Sequence, residues 1–561
     1  MASDKVSVVL QPLDGHEFIS ILRSFRRMLS SCIGPRAGIK IVITPAGYIT
    51  YTSSSSRLLN SIILENPICV YINQIIKSQM KTYQDCGLYC GIFITTLLEN
   101  VLTKEMDLPF PAVIKIIEYL TSEMESVFNL NSMKMKVDFS TIKQLLPLVQ
   151  SILSSKPLCG LTEPQIENLQ FNIVKGFVQT IGSPIGRLVV ECTDGSEMES
   201  KVFPGLLYQI KHEDLVNLND KCTKEGITIL LFNIMLTDVE DDIKISDNRD
   251  VKIEKNTKKN YFLEESLSLF EEVVNMNVDI VACQKVVDPA LCFYLERRGI
   301  LVLERLGTDL TVLLEKLSQA TSISTVNFNC LRDKLAGFFG RIDIIKQIQF
   351  GKRHYLLLEK KSGNMATLIC NAPNEEAATE LKVVIKQCIS ALNSLILYPE
   401  VTPGAGCFEM SFSIRLMIQV LNKFDNSICT RSQIESCISW FQKALVYSAG
   451  MCNESSSHFT VDSVYGHVWK FNKENCCCGL ISHDMVKKQG NVEWVQFFNN
   501  EGTFFLQNLK LFSKLSSDSL ALKEHAIVDL YKSKENAIKL CVETCVSLLG
   551  IGMVVYKPHK S

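Results

Sequence analysis

Phe18, Leu22, Phe25 and Leu29 recur at intervals of four, three and four residues, the apolar stripe of an amphipathic helix. The helix is expected to end in Ser30-Ser31-Cys32-Ile33-Gly34-Pro35, where Gly can leave a helix and Pro cannot continue one. Ile39 to Thr44 and Tyr48 to Thr52 are β-branched and aromatic runs split by Pro45-Ala46-Gly47, which predicts a hairpin. Helical patterns then run through Asn100, from Val113 to about Phe128, and from Gln165 to Thr180 after a Ser154-Ser155-Lys156 break.

From about residue 197 the texture changes. Ile227 to Phe232, Ile280 to Cys283 and Ile300 to Leu303 are short apolar β-rich runs, and helical patterns alternate with them at Phe262 to Val274, Pro289 to Arg298 and Thr308 to Ala320. Such alternation predicts an α/β layer. Between Asp238 and Lys259 the chain is acidic and then basic with few large apolar residues, which reads as a solvated projection or a docking surface. After about residue 366 the helices return. A helical start, an α/β middle and a helical end predict one helical domain built from both chain ends, carrying the middle as an insertion. No repeat of 20–50 residues is visible, which argues against solenoids and propellers.

Composition narrows the function classes. A chain of 561 residues, 47% hydrophobic and 21% charged, has material for three or four domains with sizeable cores. Lys+Arg 58 against Asp+Glu 60 gives no basic footprint for nucleic acid. The longest uncharged apolar stretches fall short of the roughly 18 residues a membrane span needs, and MASDKVSVVL has no basic region leading into an apolar run. Twenty-one cysteines without a secretory signal suggest thiols in a reducing compartment. Their linear spacing makes no metal motif: Cys476, Cys477 and Cys478 are consecutive, Cys86/Cys90 and Cys541/Cys545 sit four apart, and no CxxC pair recurs. The ordinary reading is cysteine as a small apolar core residue. In such a compartment the Asn453-Glu454-Ser455 sequon is irrelevant.

Two segments could handle phosphate. Pro403-Gly404-Ala405-Gly406 precedes a helical pattern; a small-residue turn opening a helix aims backbone N–H groups at one point, or is simply a turn. Gln84-Asp85-Cys86-Gly87 sets an acid ahead of an apolar helix, where Asp either holds Mg²⁺ or caps the helix.

The order of these pieces resembles the group II chaperonins, the subunits of the archaeal thermosome and the eukaryotic cytosolic chaperonin. SCIGPRAGIKIV is similar to that family's first helix and Gly-Pro nucleotide loop, here Gly34-Pro35. VTPGAGCFE resembles its Pro-Gly-Gly-Gly loop followed by an acid, here Glu409. VDIVACQKVVDPALCFYLERRGILVLERLGTDL resembles its apical stretch, and AIVDLYKSKENAIKLCVETCVSLLGIG its C-terminal helix, with Asp529 where the family has an acid near the nucleotide base. The resemblance is collinear from end to end. QDCGL (Gln84 to Leu88) and SILSSKP (Ser151 to Pro157) are similar to segments of a divergent chaperonin-like branch.

The resemblance implies an α/β and α fold in three domains: a mostly helical equatorial domain (1–145 and 402–561), an intermediate hinge domain (146–196 and 366–401) and an inserted α/β apical domain (197–365). It implies ATP with Mg²⁺ as cofactor, bound by Gly34, Pro35, Asp85, Gly404, Ala405, Gly406 and Asp529, with Asp85 as the metal ligand. It implies clients on the helix from about Thr308 to Thr321. There Leu310, Leu313, Leu314 and Leu317 are the expected core face, with Thr311, Glu315, Ser318 and Gln319 facing out. Implied partners are the other Bardet-Biedl chaperonin-like proteins, cytosolic chaperonin subunits and, as clients, subunits of the ciliary BBSome. The implied place is the cytoplasm, at the centrosome or ciliary base.

The departures bear on activity. Active chaperonins have Asn-Asp-Gly where this chain has Ser53-Ser54-Ser55, and Gly-Asp-Gly-Thr-Thr where it has Gln84-Asp85-Cys86-Gly87-Leu88. Gln387 stands where the family has its water-activating Asp, and no Asp lies between Glu380 and Pro403. A Cβ at Cys86 disfavours φ > 0 and close phosphate approach. The expectation is a degenerate ATPase and no homo-ring, with the hairpin as a candidate assembly edge; the alternative is an active, ATP-hydrolysing subunit of a chaperonin ring.

Overall fold

The computed structural model describes residues 7–13, 16–34, 37–43, 47, 49–103, 108–155, 161–181, 187–195, 199–210, 225–237, 266–324, 332–363, 365–424, 429–452, 458–470, 473–488, 492–498, 509–512 and 515–556. Pro35, the whole of the charged 238–259 segment and the 453–455 sequon lie outside these residues. The chain divides into two compact units, one of Met1–Val174 with Ala372–Ser561 and one of Lys175–Asn371. No helix among the described residues is long and apolar enough to cross a membrane.

The first unit is built around the Gly87–Leu102 helix, whose residues are buried on nearly every side. An all-round apolar helix has no face for water and must be enclosed. The His16–Ser30, Pro67–Tyr83, Arg431–Met451 and Tyr531–Leu549 helices pack on it. Phe18, Leu22, Phe25 and Leu29 form the buried stripe of the first of these, as their spacing requires. Gly91 permits close approach there: a Cβ at that position would collide with Leu29 Cδ1. Local sequence sets the helix ends. Asn66 Oδ1 accepts from Ile68 N and Cys69 N ahead of Pro67, and Thr430 forms a reciprocal capping box with Gln433, each worth about 1 kcal/mol.

Two small sheets of this unit position polar and charged side chains. Glu400–Pro403 is the middle strand between Val528–Leu530 and Met135–Lys136, both antiparallel to it. His458–Asp462 is likewise flanked by Val468–Trp469 and Trp494–Phe498. The early hairpin is Lys40–Ile43 paired with Ile49–Thr52; Ile41, Ile43 and Ile49 on it are more than half exposed. Ser7–Leu10 pairs with Met553–Tyr556, joining the two chain ends.

The second unit contains a four-stranded sheet in the order Leu301–Leu303, Ile280–Cys283, Ile227–Phe232, Gly340–Ile342, the first three parallel. Successive side chains in a strand point to opposite faces, and the two cores divide accordingly. Ile229, Leu231, Ile280 and Ala282 pack with Leu313, Leu314 and Leu317. Leu230, Phe232, Val281 and Cys283 pack with Phe270, Val273, Leu291 and Leu295. Strands covered on both faces read as unbroken apolar runs, which is why ITILLF and IVAC stand out in the sequence.

The Gly307–Ser318 helix corrects one expectation. Thr311 and Ser318, expected to face outward, are buried. Their hydroxyls donate to the Gly307 and Leu314 carbonyls at 2.7 Å each, so their polarity is satisfied within the helix and their small volume fits the core. The exposed stripe is Thr308, Asp309, Val312, Lys316 and Gln319, with Glu315 and Leu310 half-buried. Gln319 ends the helix at φ +63.

Candidate functional site

A cavity of about 530 Å³ opens in the first unit, lined by residues from every segment singled out in the sequence as a nucleotide loop. Gly34, Asp85, Ala405, Gln387 and Asp529 all contribute. Gly404 and Gly406 stand beside it as the framework of the Ala405 turn, and Pro35 lies outside the described residues.

The strand Glu400–Pro403 places two of these groups. Thr402 sits opposite Asp529 and Pro403 opposite Val528 in the sheet register, so the turn that follows Pro403 runs past Ile527, and both Ala405 and Asp529 line the cavity. Gly404 N–H donates to Ile527 O at 2.8 Å, which removes that amide from the set expected to face an anion. Ala405 and Gly406 then take φ +52 and +80 before the helix Cys407–Lys423 begins. Glycine adopts that conformation freely; for an alanine it costs about 1 kcal/mol or more.

Asp85 precedes the Gly87–Leu102 helix. Its Oδ1 accepts from Cys86 N at 2.7 Å, so it supports the helix entry while lining the cavity. Burial and the Asp529 carboxylate push the Asp85 carboxyl up from the usual range, against the pull of the Cys86 N–H and of Lys534. Two acids that repel across a cavity form a donor set suited to a cation. Cys86 holds φ +61 although its Cβ disfavours that conformation, and Gln84 holds φ +53. The turn keeps the shape a glycine would give it, under strain.

Lys534 is not apparent as a site residue in the sequence. Its ammonium lies 2.8 Å from Glu409 Oε1 and 3.1 Å from Asp529 Oδ2, and 4.3 Å from the Tyr89 ring centroid. Burial alone would lower its pKa, but Asp529 and Glu409 hold it well above the ordinary lysine value. Glu409 has no aligned hydrogen bond and depends on this charge. The signal is present in the register: Tyr531, Lys534, Ile538, Cys541 and Cys545 recur at three- and four-residue intervals on one buried face, with a lysine in an apolar position.

The Glu375–Leu397 helix also reaches the cavity, through Gln387 and Ala391. Gln387 lines the cavity and its Nε2 donates weakly to Ser54 Oγ at 3.5 Å. Two turns earlier Glu380 is fully buried and accepts from Thr52 Oγ1, Ser53 N, Ser53 Oγ and Arg57 Nη1 at 2.9–3.0 Å. That carboxylate is engaged in holding the Ser53-Ser54-Ser55 turn and is absent from the cavity lining, where Asp85 and Asp529 are the acids.

The model of the TCP-1/cpn60 chaperonin family matches residues 25–558. The chain belongs to that family. Relatives span almost all of it: the mouse protein "Molecular chaperone MKKS" is 26% identical over 571 residues, covering 97% of each chain, and its human counterpart is 25% identical over 568 residues with the same coverage. "Thermosome subunit alpha" of Aeropyrum pernix is 22% identical over 486 residues, 83% of this chain and 84% of that one. This chaperonin is therefore a divergent group II-like member. Both of the segments read from the sequence as candidate phosphate loops hold a non-glycine residue at positive φ, Cys86 and Ala405.

Proposed function

We propose that this chaperonin-family chain binds a magnesium nucleotide without turning it over and acts as a chaperonin-like assembly factor for a multiprotein complex. The observation that carries the reading is the make-up of the cavity lining: Asp85, Ala405 and Asp529 are present, and the Glu375–Leu397 helix brings an amide, Gln387, and no carboxylate. Asp85 would hold the metal, the Ala405 turn would meet the phosphates and Asp529 would lie toward the base. The ion would supply charge neutralisation for the phosphates. Gln387 can orient a water but cannot accept its proton at neutral pH, and general-base help is typically worth about 10²–10⁴-fold in rate.

The family resemblance supports the finer picture. It suggests equatorial (1–145, 402–561), intermediate (146–196, 366–401) and apical (197–365) domains, with clients met through the exposed stripe of the Gly307–Ser318 helix. Glu315 and Gln319 remain candidates there; Thr311 and Ser318 do not. The partners it suggests are sister Bardet-Biedl chaperonin-like proteins, cytosolic chaperonin subunits and BBSome subunits, at the cytoplasmic base of the cilium. The exposed isoleucines of the Lys40–Ile43/Ile49–Thr52 hairpin suit pairing with a different subunit in a hetero-assembly. A titration of the full chain with a fluorescent ATP analogue, with and without Mg²⁺, tests the binding half. Saturable Mg²⁺-dependent binding lost in Asp85→Ala is expected; no binding under either condition refutes it.

A further inference from the structure

Outside the cavity, four side chains that form no motif in the sequence converge. Cys407, His467, Cys476 and Cys478 are all buried, and their Sγ and imidazole nitrogen atoms lie within 4.8 Å of one another. Cys476 Sγ is 3.3 Å from Cys478 Sγ, and Cys478 Sγ is 3.4 Å from His467 Nδ1. We propose that Cys407, His467, Cys476 and Cys478 are the ligands of a structural zinc ion.

The chemistry favours zinc. Zinc prefers a tetrahedron of thiolate and imidazole, with Zn–S about 2.3 Å and Zn–N about 2.0 Å, which sets the ligand atoms roughly 3.5–3.8 Å apart. Two of the separations, 3.3 and 3.4 Å, fall a few tenths of an ångström short of that, and all the ligand atoms lie within 4.8 Å of one another. Three thiolates and one imidazole complete the shell, leaving no open position for a substrate, so the site is of the closed structural class. Binding would displace the three thiol protons to solvent and leave His467 neutral, coordinated through Nδ1.

Each ligand is held in place by groups that do not themselves bind metal. Cys476 and Cys478 sit in a tight turn between the Asn475–Ser482 bridge, closed by Cys476 N to Ile481 O at 2.9 Å and by Gly479 at φ +76. Ile481 N–H donates to Cys476 Sγ at 3.2 Å, and a backbone N–H on a sulfur stabilises it as thiolate. His467 is fixed by Asp462, a fully buried carboxylate that accepts from Val464 N, Tyr465 N, His467 N and Trp469 Nε1. Cys407 is the first residue of the helix after the Gly404–Gly406 turn.

The ion would tie the start of the Cys407–Lys423 helix to two segments much later in the chain, the His458–Asp462/Val468–Trp469 hairpin and the neighbouring 475–482 turn. Cys477 and Lys470 from two of them line the nucleotide cavity, so the site would brace that wall without depending on whether nucleotide binds.

The test is metal analysis of the full chain purified without chelator and after tag removal. About one zinc per chain is expected, retained through a brief EDTA wash and released when a mercurial blocks the thiols. Cobalt(II) exchanged into the wild type should give the intense visible bands of tetrahedral thiolate coordination, and the Cys476→Ser/Cys478→Ser variant should lose both zinc and those bands, with a fall in Tm of about 5 °C or more. Should that variant fail to fold, the wild-type cobalt spectrum and mercurial release decide alone. Zinc absent from the native protein, zinc stripped by the EDTA wash, iron in its place, a Cys476–Cys478 disulfide, or zinc retained by the double variant would each overturn the assignment.

Discussion

Two walls of the cavity are backed by carboxylates held by different means, and the contrast underlies the proposed separation of binding from turnover. On one wall, Glu409 and Asp529 share the buried ammonium of Lys534, and Asp85 faces Asp529 with its carboxyl pushed up. These charges are incompletely satisfied, and a cation or polyphosphate would change their balance. On the other wall, Glu380 lies behind the lining, satisfied by four hydrogen bonds from its own neighbourhood, and the polar group its helix presents to the cavity is the Gln387 amide. One wall is electrostatically responsive; the other has become structural.

The largest expected effect is on the responsive wall. Lys534→Met leaves Glu409 buried without its cation and should cost about 3–5 kcal/mol in urea unfolding, because breaking a buried pair strands a charge. Adding Glu409→Gln should recover much of that loss. If Lys534→Met is neutral, the network does not govern the electrostatics of this wall.

Gln387→Asp sharpens the contrast from the other side. It returns a carboxylate to the cavity and should raise phosphate release at least about tenfold, short of the full general-base factor of about 10²–10⁴ because the Cys86 turn stays altered. Glu380→Gln turns an amide toward donors that need an acceptor and should cost about 2 kcal/mol, with faster hydrogen exchange at Ser53. An unchanged exchange rate would mean that Glu380 does not hold that turn.

Smaller effects are expected in the turns. Ala405→Gly removes a Cβ from a left-handed position and should stabilise by about 0.5–1 kcal/mol. For Asp85 the sign is opposite to that of a salt-bridged acid. Its folded carboxyl is raised, so ionisation costs stability at neutral pH, and that cost is relieved as pH falls through the folded value. Asp85→Asn should therefore raise Tm in the absence of nucleotide while abolishing Mg²⁺-dependent binding, and wild-type Mg²⁺ dependence should fade at a pH above that of an ordinary aspartate.

Periodicity makes the fold legible where one physical cause dominates. The helix His16–Ser30 and the strands Ile227–Phe232 and Ile280–Cys283 follow from spacing and burial alone. The Gly307–Ser318 helix shows the limit: Thr and Ser can enter a core by bonding their own helix, so polarity misassigns its outer stripe. The cavity's residues are reached through family resemblance, and the fold brings Asp85, Ala405, Gln387 and Asp529 together. Lys534 and Glu380 hide in apolar registers, where a charged residue looks like an exception until its partner is seen. Cys407, His467, Cys476 and Cys478 come from three separate segments, so no spacing rule could join them.

The central claim is best tested by steady-state phosphate release from the purified full chain at saturating nucleotide and Mg²⁺, with binding measured on the same preparation. Nucleotide occupancy with release no greater than in Asp85→Ala is the predicted result. Sustained release at the rate of an active cytosolic chaperonin subunit, abolished by Asp85→Ala, would contradict it.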